Sequence, residues 1–505
     1  MLIKPAARPD WFVWLDPPAD WSRAFAELPG LQWGVQGTKM MVHFHISHIP
    51  CLPDHEREVC GRMLQPTPHS FDLSQLRPYQ AADFERIRDM RGALLAYEMR
   101  LGKSALACHL HDPNDGLLII VGPLAAREVW RDWVARVHGS PPFVLSGVKD
   151  VEAQLGYRAY FCHYDILHAH AGFFLNENIG TLIIDEVHLL QARGTKRLTA
   201  VNLLVPHAKR ILGLSGTPMW NKPRSLWTIL HLISPGAWGT QFEARRRYAD
   251  AQPGAHGWTY DGISHPEELQ ERLSTIMVRR TWKDVAPELP PTVRVIEPVE
   301  VSGAKLVEVE AAATKLALAR GTSTVAGYLA TLRRKLAALK VKPAVVMAMQ
   351  AADDDHKVVL WTWHNEIADK VTAALEDAHA RCPFGLDYTL CRLRAADSPD
   401  KRDAEVARFR AATSRAFMVA SMSVGGVGLD LSCSDYTIFV EMDWTPAVVQ
   451  QAEMRTFHPS RPHCVVYLHT DDMVETKLVE ALDVKNGFAA AIGLSTQDVM
   501  ERVLT

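Results

Sequence analysis

Ten short apolar runs, in two groups of five, constrain this chain more than any other feature. ALLAY, GLLIIVG, AYFCHY, TLIIDE and ILGLSG fall between residues 71 and 235, and KVVLWTW, YTLCRL, AFMVAS, YTIFVEM and CVVYLHT follow residue 355. A strand with one wet face alternates polar and apolar residues. These runs are mostly continuous, so they suit strands buried on both faces of a parallel sheet. Parallel strands need long crossovers, and helical segments lie between the runs. The expected fold class is α/β: two sheet lobes with helical insertions, plus a small N-terminal α+β domain.

The domain expectations follow from the breaks. Residues 1–70 read as an N-terminal accessory domain: WFVWLDPPADWSRAF, then the alternating GVQGTKMMVHFHISHI, closed by Pro66 and Pro68. Residues 71–292 read as lobe 1, with a helical protrusion at about 236–290 carrying FEARRRYADA and EELQERLSTIMVRRTW. ELPPT at 288–292 ends it, and 293–505 reads as lobe 2 with a helical insertion at about 301–350.

Composition excludes several classes. A net charge of −3 rules out global basicity, so any nucleic-acid affinity must come from local patches. The eight cysteines, at 51, 60, 108, 162, 382, 391, 433 and 464, contain no C-x-x-C, which suits a reducing compartment. No run approaches 18 apolar residues and the N-terminus lacks a signal-peptide core. The expected location is cytoplasmic, nucleoid-associated in a prokaryote or virus, with the nucleus left open. A monomer with no membrane association is expected.

Three strand ends carry chemistry. LLAYEMRLGKSALA, 94–107, resembles a phosphate-binding loop, although Tyr97 stands where the general pattern has glycine and Arg100 lies inside the loop. Gly102 allows close backbone approach, Lys103 would reach the β- and γ-phosphates, and Ser104 would hold Mg²⁺. A helix cap with a solvated lysine is the competing reading of that stretch alone. LIIDEVHLL, 182–190, ends a strand in Asp185-Glu186, where ligands of parallel sheets lie. Asp185 would hold Mg²⁺ and Glu186 would position water. LGLSGTPMWNKP, 212–223, ends a third strand in a hydroxyl-bearing turn, read as a coupling element.

In this order the blocks resemble the superfamily 2 helicase-like ATPases of the Swi/Snf type. LRPYQ (76–80) is similar to the segment before motif I, EMRLGKS (98–104) to motif I, and IIVGPLAAREVWRDW (119–133) to motif Ia with its tryptophan segment. DEVH (185–188) is similar to the DEAH box, and SGTPMWNKPRSLWTILHLISP (215–235) is the most diagnostic stretch. TIMVRRTWKDVAPELPP (275–291), KVVLWTWHNEI (357–367) and SVGGVGLDLSCSDYTIFVEMDWTPAVVQQAEMR (423–455) resemble the lobe-closing arginine pair, motif IV, and motifs V to VI. The resemblance covers roughly residues 74–480. VSGAKLVEV and VKPAVV are similar to segments of the HARP-like annealing helicases.

The resemblance implies two RecA-like lobes binding ATP and Mg²⁺ in the cleft between them. Gln80 would read adenine, with Arg77, Leu101, Gly102, Lys103, Ser104 and Asp185 around the nucleotide and Gly428, Asp430 and Arg455 contributed by lobe 2. Glu186, Lys103 and Arg455 would be catalytic. His458 stands where the second motif VI arginine is expected, and Arg461 lies one turn on. Duplex DNA contacts are implied at Pro123, Tyr164, Thr217, Arg279, Arg280, His364, Gly425, Gly426 and Trp444. Basic clusters at 245–247, 279–280, and 333–335 with Lys340 and Lys342 accompany them. The implied partner is double-stranded DNA, branched or forked, bound through phosphates with little sequence preference.

The implied function is an ATP-dependent duplex translocase that remodels branched or partly opened DNA or displaces bound protein. A non-catalytic DNA-binding module with a degenerate ATPase, or an RNA helicase, are the competing classes. The N-terminal His43, His45, His48, Cys51, His55 and Cys60 match no standard zinc spacing, and a structural or DNA-facing strand is the preferred reading.

Overall fold

A computed structural model describes residues 2–5, 11–15, 17, 28–36, 39–54, 57, 60, 72–148, 157–190, 194–216, 226–254, 257–260, 262–286, 292–300, 307–309, 311, 325–381, 388–413, 415–425, 429–443 and 446–470. The chain divides into two compact units, one running to residue 287 and the other starting at 288.

The first unit opens with a four-stranded antiparallel sheet: β1 (Leu2–Pro5), β2 (Trp11–Leu15), β3 (Gln32–Gln36) and β4 (Lys39–His45), in the order β1-β2-β4-β3. The stretch read as one alternating strand is thus a hairpin, β3–β4, followed by a short 3-10 helix, Ile46–Cys51. Phe12, Trp14, Val42 and Phe44 form its core.

The main sheet of this unit comprises β5 (Gly92–Tyr97), β6 (Leu117–Gly122), β7 (Phe143–Leu145), β8 (Ala159–His163), β9 (Ile179–Asp185), β10 (Ala208–Leu214) and, beyond a small hairpin of β11 (Gln252–Gly254) and β12 (Gly257–Thr259), β13 (Met277–Arg280). All seven strands are parallel, in the order β13-β5-β10-β9-β6-β8-β7. Every residue of β5 and β9 is buried, as their unbroken apolar runs require. The helix Pro78–Ile87 leads into β5, and the crossover helices include Lys103–His109, Arg127–His138 and Leu167–Leu175.

β13 is a departure from the sequence reading, which continued a helix through TIMVRR. The helix Pro266–Ile276 stops at Ile276, and Met277–Arg280 pairs in register with Leu94–Tyr97 of β5. A four-residue edge strand half composed of arginine carries no apolar signature. The expected helical protrusion therefore also holds a hairpin and a strand.

The second unit has a six-stranded, all-parallel sheet: β14 (Thr292–Val299), β15 (Lys357–Thr362), β16 (Thr389–Leu393), β17 (Ala416–Ser421), β18 (Tyr436–Phe439) and β19 (His463–Thr470), ordered β14-β19-β18-β15-β17-β16. Five match the expected runs. β14 was not among them, because as an edge strand it is only partly buried along most of its length. The helix Val325–Asp353 crosses to β15, and its buried Ala337, Ala344 and Ala348 pack on this sheet. Among the described residues, no helix is long and apolar enough to cross a membrane.

Candidate active site

The carboxyl ends of β5, β6, β9 and β10 lie at one edge of the first sheet, because parallel pairing in register aligns them. Leu95 pairs with Leu214, Leu214 with Asp185, and Ile184 with Val121. The loop 98–102, Asp185-Glu186, Ser215-Gly216 and Gly122-Pro123 therefore emerge together. This is the edge at which open parallel sheets bind ligands.

The loop after β5 is braced from several directions. Gly102 caps the helix Lys103–His109 at φ +81°, and a Cβ there would lie 2.5 Å from Gln80 Nε2, so only glycine fits. Gln80, 2% exposed, uses its whole carboxamide internally. Its Oε1 accepts from the Arg77 N–H at 2.8 Å, and its Nε2 donates to the Leu101 and Gly102 carbonyls at 3.2 and 2.9 Å. The structure thus makes Gln80, expected to read adenine, a strut for the phosphate loop. Arg77 holds this strut through its backbone, and Leu101 is buried, its carbonyl also accepting from Tyr79 at 2.8 Å.

Tyr97, the departure from the general loop pattern, is fully buried. Its hydroxyl donates to Asp83 at 2.6 Å, and Asp83 takes a bidentate pair of bonds from Arg280 at 2.7 and 2.8 Å. Arg280 was expected on DNA; the guanidinium is instead committed to a carboxylate that is 2% exposed. The next turn adds to the brace. Trp282 donates its backbone N–H to Glu98 Oε2 at 2.6 Å and its indole N–H to the Met99 carbonyl at 3.1 Å. Arg279 is half-buried, and that burial lowers its pKa.

Lys103 follows this loop. Its ammonium donates to the Tyr97 and Glu98 carbonyls at 2.9 and 3.3 Å, and a Cβ on Gly216 would lie 3.7 Å from it. Asp185 ends β9 and is buried, with Oδ2 accepting the Trp130 indole N–H at 2.8 Å. Burial, then the adjacent Glu186 charge, push the Asp185 pKa up to about 7, while the Trp130 bond and Lys103 oppose that rise. Glu186 sits at φ +51°, a left-handed conformation unusual for glutamate.

From Glu186 a polar chain runs to β10. Its Oε2 lies 3.4 Å from His188 Nδ1, and that nitrogen is 2.8 Å from Ser215 Oγ. Burial and the Lys103 charge lower His188 to about 3, so the imidazole is neutral. The DEVH and SGTP segments are thus joined by a hydrogen bond.

The donor set fits ATP with Mg²⁺. Lys103 supplies a cation, and the Ser104 hydroxyl with the Asp185 carboxylate are the oxygen ligands a hard divalent cation takes. A bound cation also relieves the burial penalty that raises Asp185.

Two other expected DNA contacts are placed inside the unit. Tyr164 is 1% exposed, its hydroxyl donating to the Asp185 carbonyl at 2.5 Å, and Pro123 is buried beside Gly122. Both support the strand edge. Thr217, Gly426, Gly428 and Trp444 lie outside the described residues.

In the second unit, His364 follows β15 and caps the helix Asn365–Ala380. Buried Glu441 accepts the Trp363 and His364 backbone N–H groups at 2.7 and 2.9 Å and lies 2.6 Å from His364 Nδ1. That commits Nδ1 inward and leaves Nε2 for an outside partner. Gly425 ends the short helix Met422–Gly425. Asp430 pairs with Arg410 at 2.8 Å, and Arg455 is 9% exposed on the helix Pro446–Thr456. Arg461, the considered substitute for the second arginine, is bound to Asp435 at 3.4 Å and to the Ser432 carbonyl at 2.5 Å.

Sequence reasoning assigned no role to Asp83, Trp130 or Trp282. They act across separations of 14 to 197 residues, which no local spacing encodes.

An SNF2-related domain matches residues 26–307 and a helicase conserved C-terminal domain matches residues 341–459. This chain belongs to the SNF2-related family. Its similarity to the mouse (Mus musculus) DNA annealing helicase and endonuclease ZRANB3 is 26% identity over 407 residues, covering 76% of this chain and 37% of that protein. To the Drosophila melanogaster SWI/SNF-related matrix-associated actin-dependent regulator of chromatin subfamily A-like protein 1 it is 24% over 444 residues, covering 85% and 58%. The SNF2-family chain thus spans between about a third and three fifths of these relatives. The Sulfolobus solfataricus SWI2/SNF2 ATPase core in complex with dsDNA is 20% identical, with 87% of this chain and 98% of that one covered and a TM-score of 0.39.

Proposed function

We propose that this chain is an ATP-driven motor that tracks along double-stranded DNA. Its work is to remodel branched or partly opened DNA by annealing, fork regression or branch migration, or to displace bound protein. The observation that carries the reading is the convergence of Lys103, Asp185, Glu186 and the His188–Ser215 pair at the carboxyl edge of one parallel sheet. The name of the mouse relative, a DNA annealing helicase, supports the annealing part.

In this reading Lys103 and the backbone of the braced loop hold the β- and γ-phosphates. Ser104 and Asp185 hold Mg²⁺, which neutralises charge on the phosphate oxygens. Glu186 orients the attacking water through its carboxylate. His188, neutral and bonded to Ser215, passes any shift of Glu186 to the segment after β10. Arg455 is the candidate for stabilising developing charge, a role that rests on the family resemblance. His364 Nε2 and Gly425 are the DNA-phosphate candidates from the described residues of lobe 2.

The test is ATP turnover with and without duplex DNA for the wild type and Glu186→Gln. We expect duplex to stimulate the wild type, and the variant to lose about 10²–10⁴-fold in kcat while still binding ATP. Equal, near-zero turnover in both proteins sinks the motor and leaves a DNA-binding module. Four DNA forms (duplex, single-stranded, forked and four-way) test the branched-DNA part, which equal stimulation by all four would remove. Stronger stimulation by single-stranded RNA would make it an RNA helicase.

A further inference from the structure

The helix Arg127–His138 buries two side chains, Trp130 and Val134, one turn apart; its other residues are half-buried or exposed. Val134 is apolar and needs only to be covered. Trp130 carries an N–H into the interior, and that group donates to Oδ2 of Asp185 at 2.8 Å. Burial alone does not account for the bond. Among the described residues, the buried indoles of Trp227, Trp238 and Trp361 leave their N–H groups without a hydrogen-bond partner. The fold thus tolerates unpaired indoles in its cores and directs this one to a carboxylate.

Asp185 is held from three sides. Its carbonyl accepts from the Tyr164 hydroxyl at 2.5 Å, which fixes the backbone at the end of β9. Gly122, at the end of β6, lies against its side chain. A Cβ there would be 3.1 Å from Asp185 Cβ and 3.6 Å from Oδ2, the first closer than ordinary van der Waals contact. What is left is the rotation of the carboxylate about its own bond, a soft torsion in aspartate. The Trp130 bond fixes that rotation.

An indole suits this task for a chemical reason. It is a donor only and carries no charge. It can therefore orient the carboxylate without neutralising it, and a charged oxygen ligand is what a hard divalent cation takes. A lysine or arginine in the same place would pair with Asp185 and compete with the metal. Metal ligands are commonly held by such outer hydrogen bonds, and losing one costs about 10–100-fold in metal affinity.

We propose that Trp130 is a positioning residue for the Mg²⁺ of the nucleotide site: its indole N–H holds the Asp185 carboxylate in the orientation that receives the metal. This rests on the reading of Asp185 as a metal ligand. The full chain is compared as wild type, Trp130→Phe and Asp185→Asn. Trp130→Phe keeps an aromatic ring in the core and removes the N–H. A non-hydrolysable ATP analogue is titrated in EDTA and at stepped Mg²⁺ concentrations, with thermal unfolding measured alongside.

We expect Trp130→Phe to raise the Mg²⁺ concentration needed for half of the metal-dependent gain in affinity on the order of tenfold. Affinity in EDTA should not change. An unchanged Mg²⁺ requirement in the folded variant overturns the proposal, and Trp130 is then a core residue only. An equal loss in EDTA also overturns it, since the damage is then to the whole pocket. A second measurement holds even where the variant fails to fold. With isotope-labelled tryptophans in the wild type, adding Mg²⁺ to the analogue-bound protein should shift an indole N–H resonance, and no metal-dependent shift overturns the proposal. If Asp185→Asn leaves the Mg²⁺ requirement unchanged, the reading of Asp185 as a ligand fails, whatever Trp130→Phe shows.

Discussion

Arg100 holds φ +66°, the left-handed conformation that glycine adopts without penalty. The loop geometry therefore persists although the residue type resists it. Side chains in this region cost about 1 kcal/mol or more each. Arg100→Gly should stabilise the protein by about 1 kcal/mol and leave ATP affinity nearly unchanged, read by thermal unfolding and nucleotide titration. A lower melting temperature, or a large gain in affinity or rate, would show that the arginine side chain takes part in the site. Glu186, at φ +51°, is a second strained residue at the same edge, held by the strand behind it and by the neighbouring His188. That both lie around the phosphate site fits the tendency of strain to collect where function over-determines the backbone.

At the scale of elements, the N-terminal sheet is joined to the helix Pro266–Ile276 by one buried cation. Arg272 has no exposed surface and lies 4.3 Å from the Trp238 ring. It donates to the Ser47, Pro29 and Ala237 carbonyls at 3.2, 3.3 and 2.9 Å and to the Tyr248 hydroxyl at 2.7 Å. Tyr248 in turn donates to Glu268 at 2.5 Å, so a phenol links the cation to that carboxylate.

His45 and His48 belong to this junction. His48 Nδ1 accepts the His45 N–H at 3.1 Å, and its Nε2 lies 2.9 Å from both the Pro29 carbonyl oxygen and an Arg272 guanidinium nitrogen. His45 and His48 thus fill a structural junction, His55 lies outside the described residues, and among the described residues no group of three or more His, Cys, Asp or Glu could hold a metal. Arg272→Ala should cost about 3–5 kcal/mol, because it leaves these carbonyls and the phenol unpaired. Denaturant unfolding measures it, and a loss under about 1 kcal/mol would mean the sheet is held mainly by its apolar contacts.

Across the whole molecule, buried neutral histidines set the response to acid. Burial lowers His45, His111 and His188 to about 3 and His463 to about 4, and holds His48 well below its ordinary value. With folded pKa values below the unfolded 6.5, the unfolded chain takes up protons first. Their stabilisation is complete above about pH 6.5 and is lost progressively as pH falls to about 3. Asp185, raised to about 7, and Glu98, also raised by burial, act in the opposite sense but are outnumbered. Melting temperature should therefore drop between pH 6.5 and 5. A flat or rising profile would show that these imidazoles are solvated enough to charge in place.

The apolar runs alone determined that two parallel sheets form, because a continuous run can only be buried on both faces. They also determined which residues stand at the strand ends, so Lys103, Asp185, Glu186 and Ser215 were legible as a group. Tertiary structure decided what lacks a local signature. β13 and β14 are short or partly exposed edge strands, whose pairing comes from the neighbour and not from their own pattern. Whether a polar side chain faces solvent or the core was equally beyond spacing. Arg280, Tyr164 and Gln80 read as ligand contacts, yet Asp83, the Asp185 carbonyl and the Leu101 and Gly102 carbonyls claim them. Buried polar groups must be paired, and the partners that pair them are brought together only by folding.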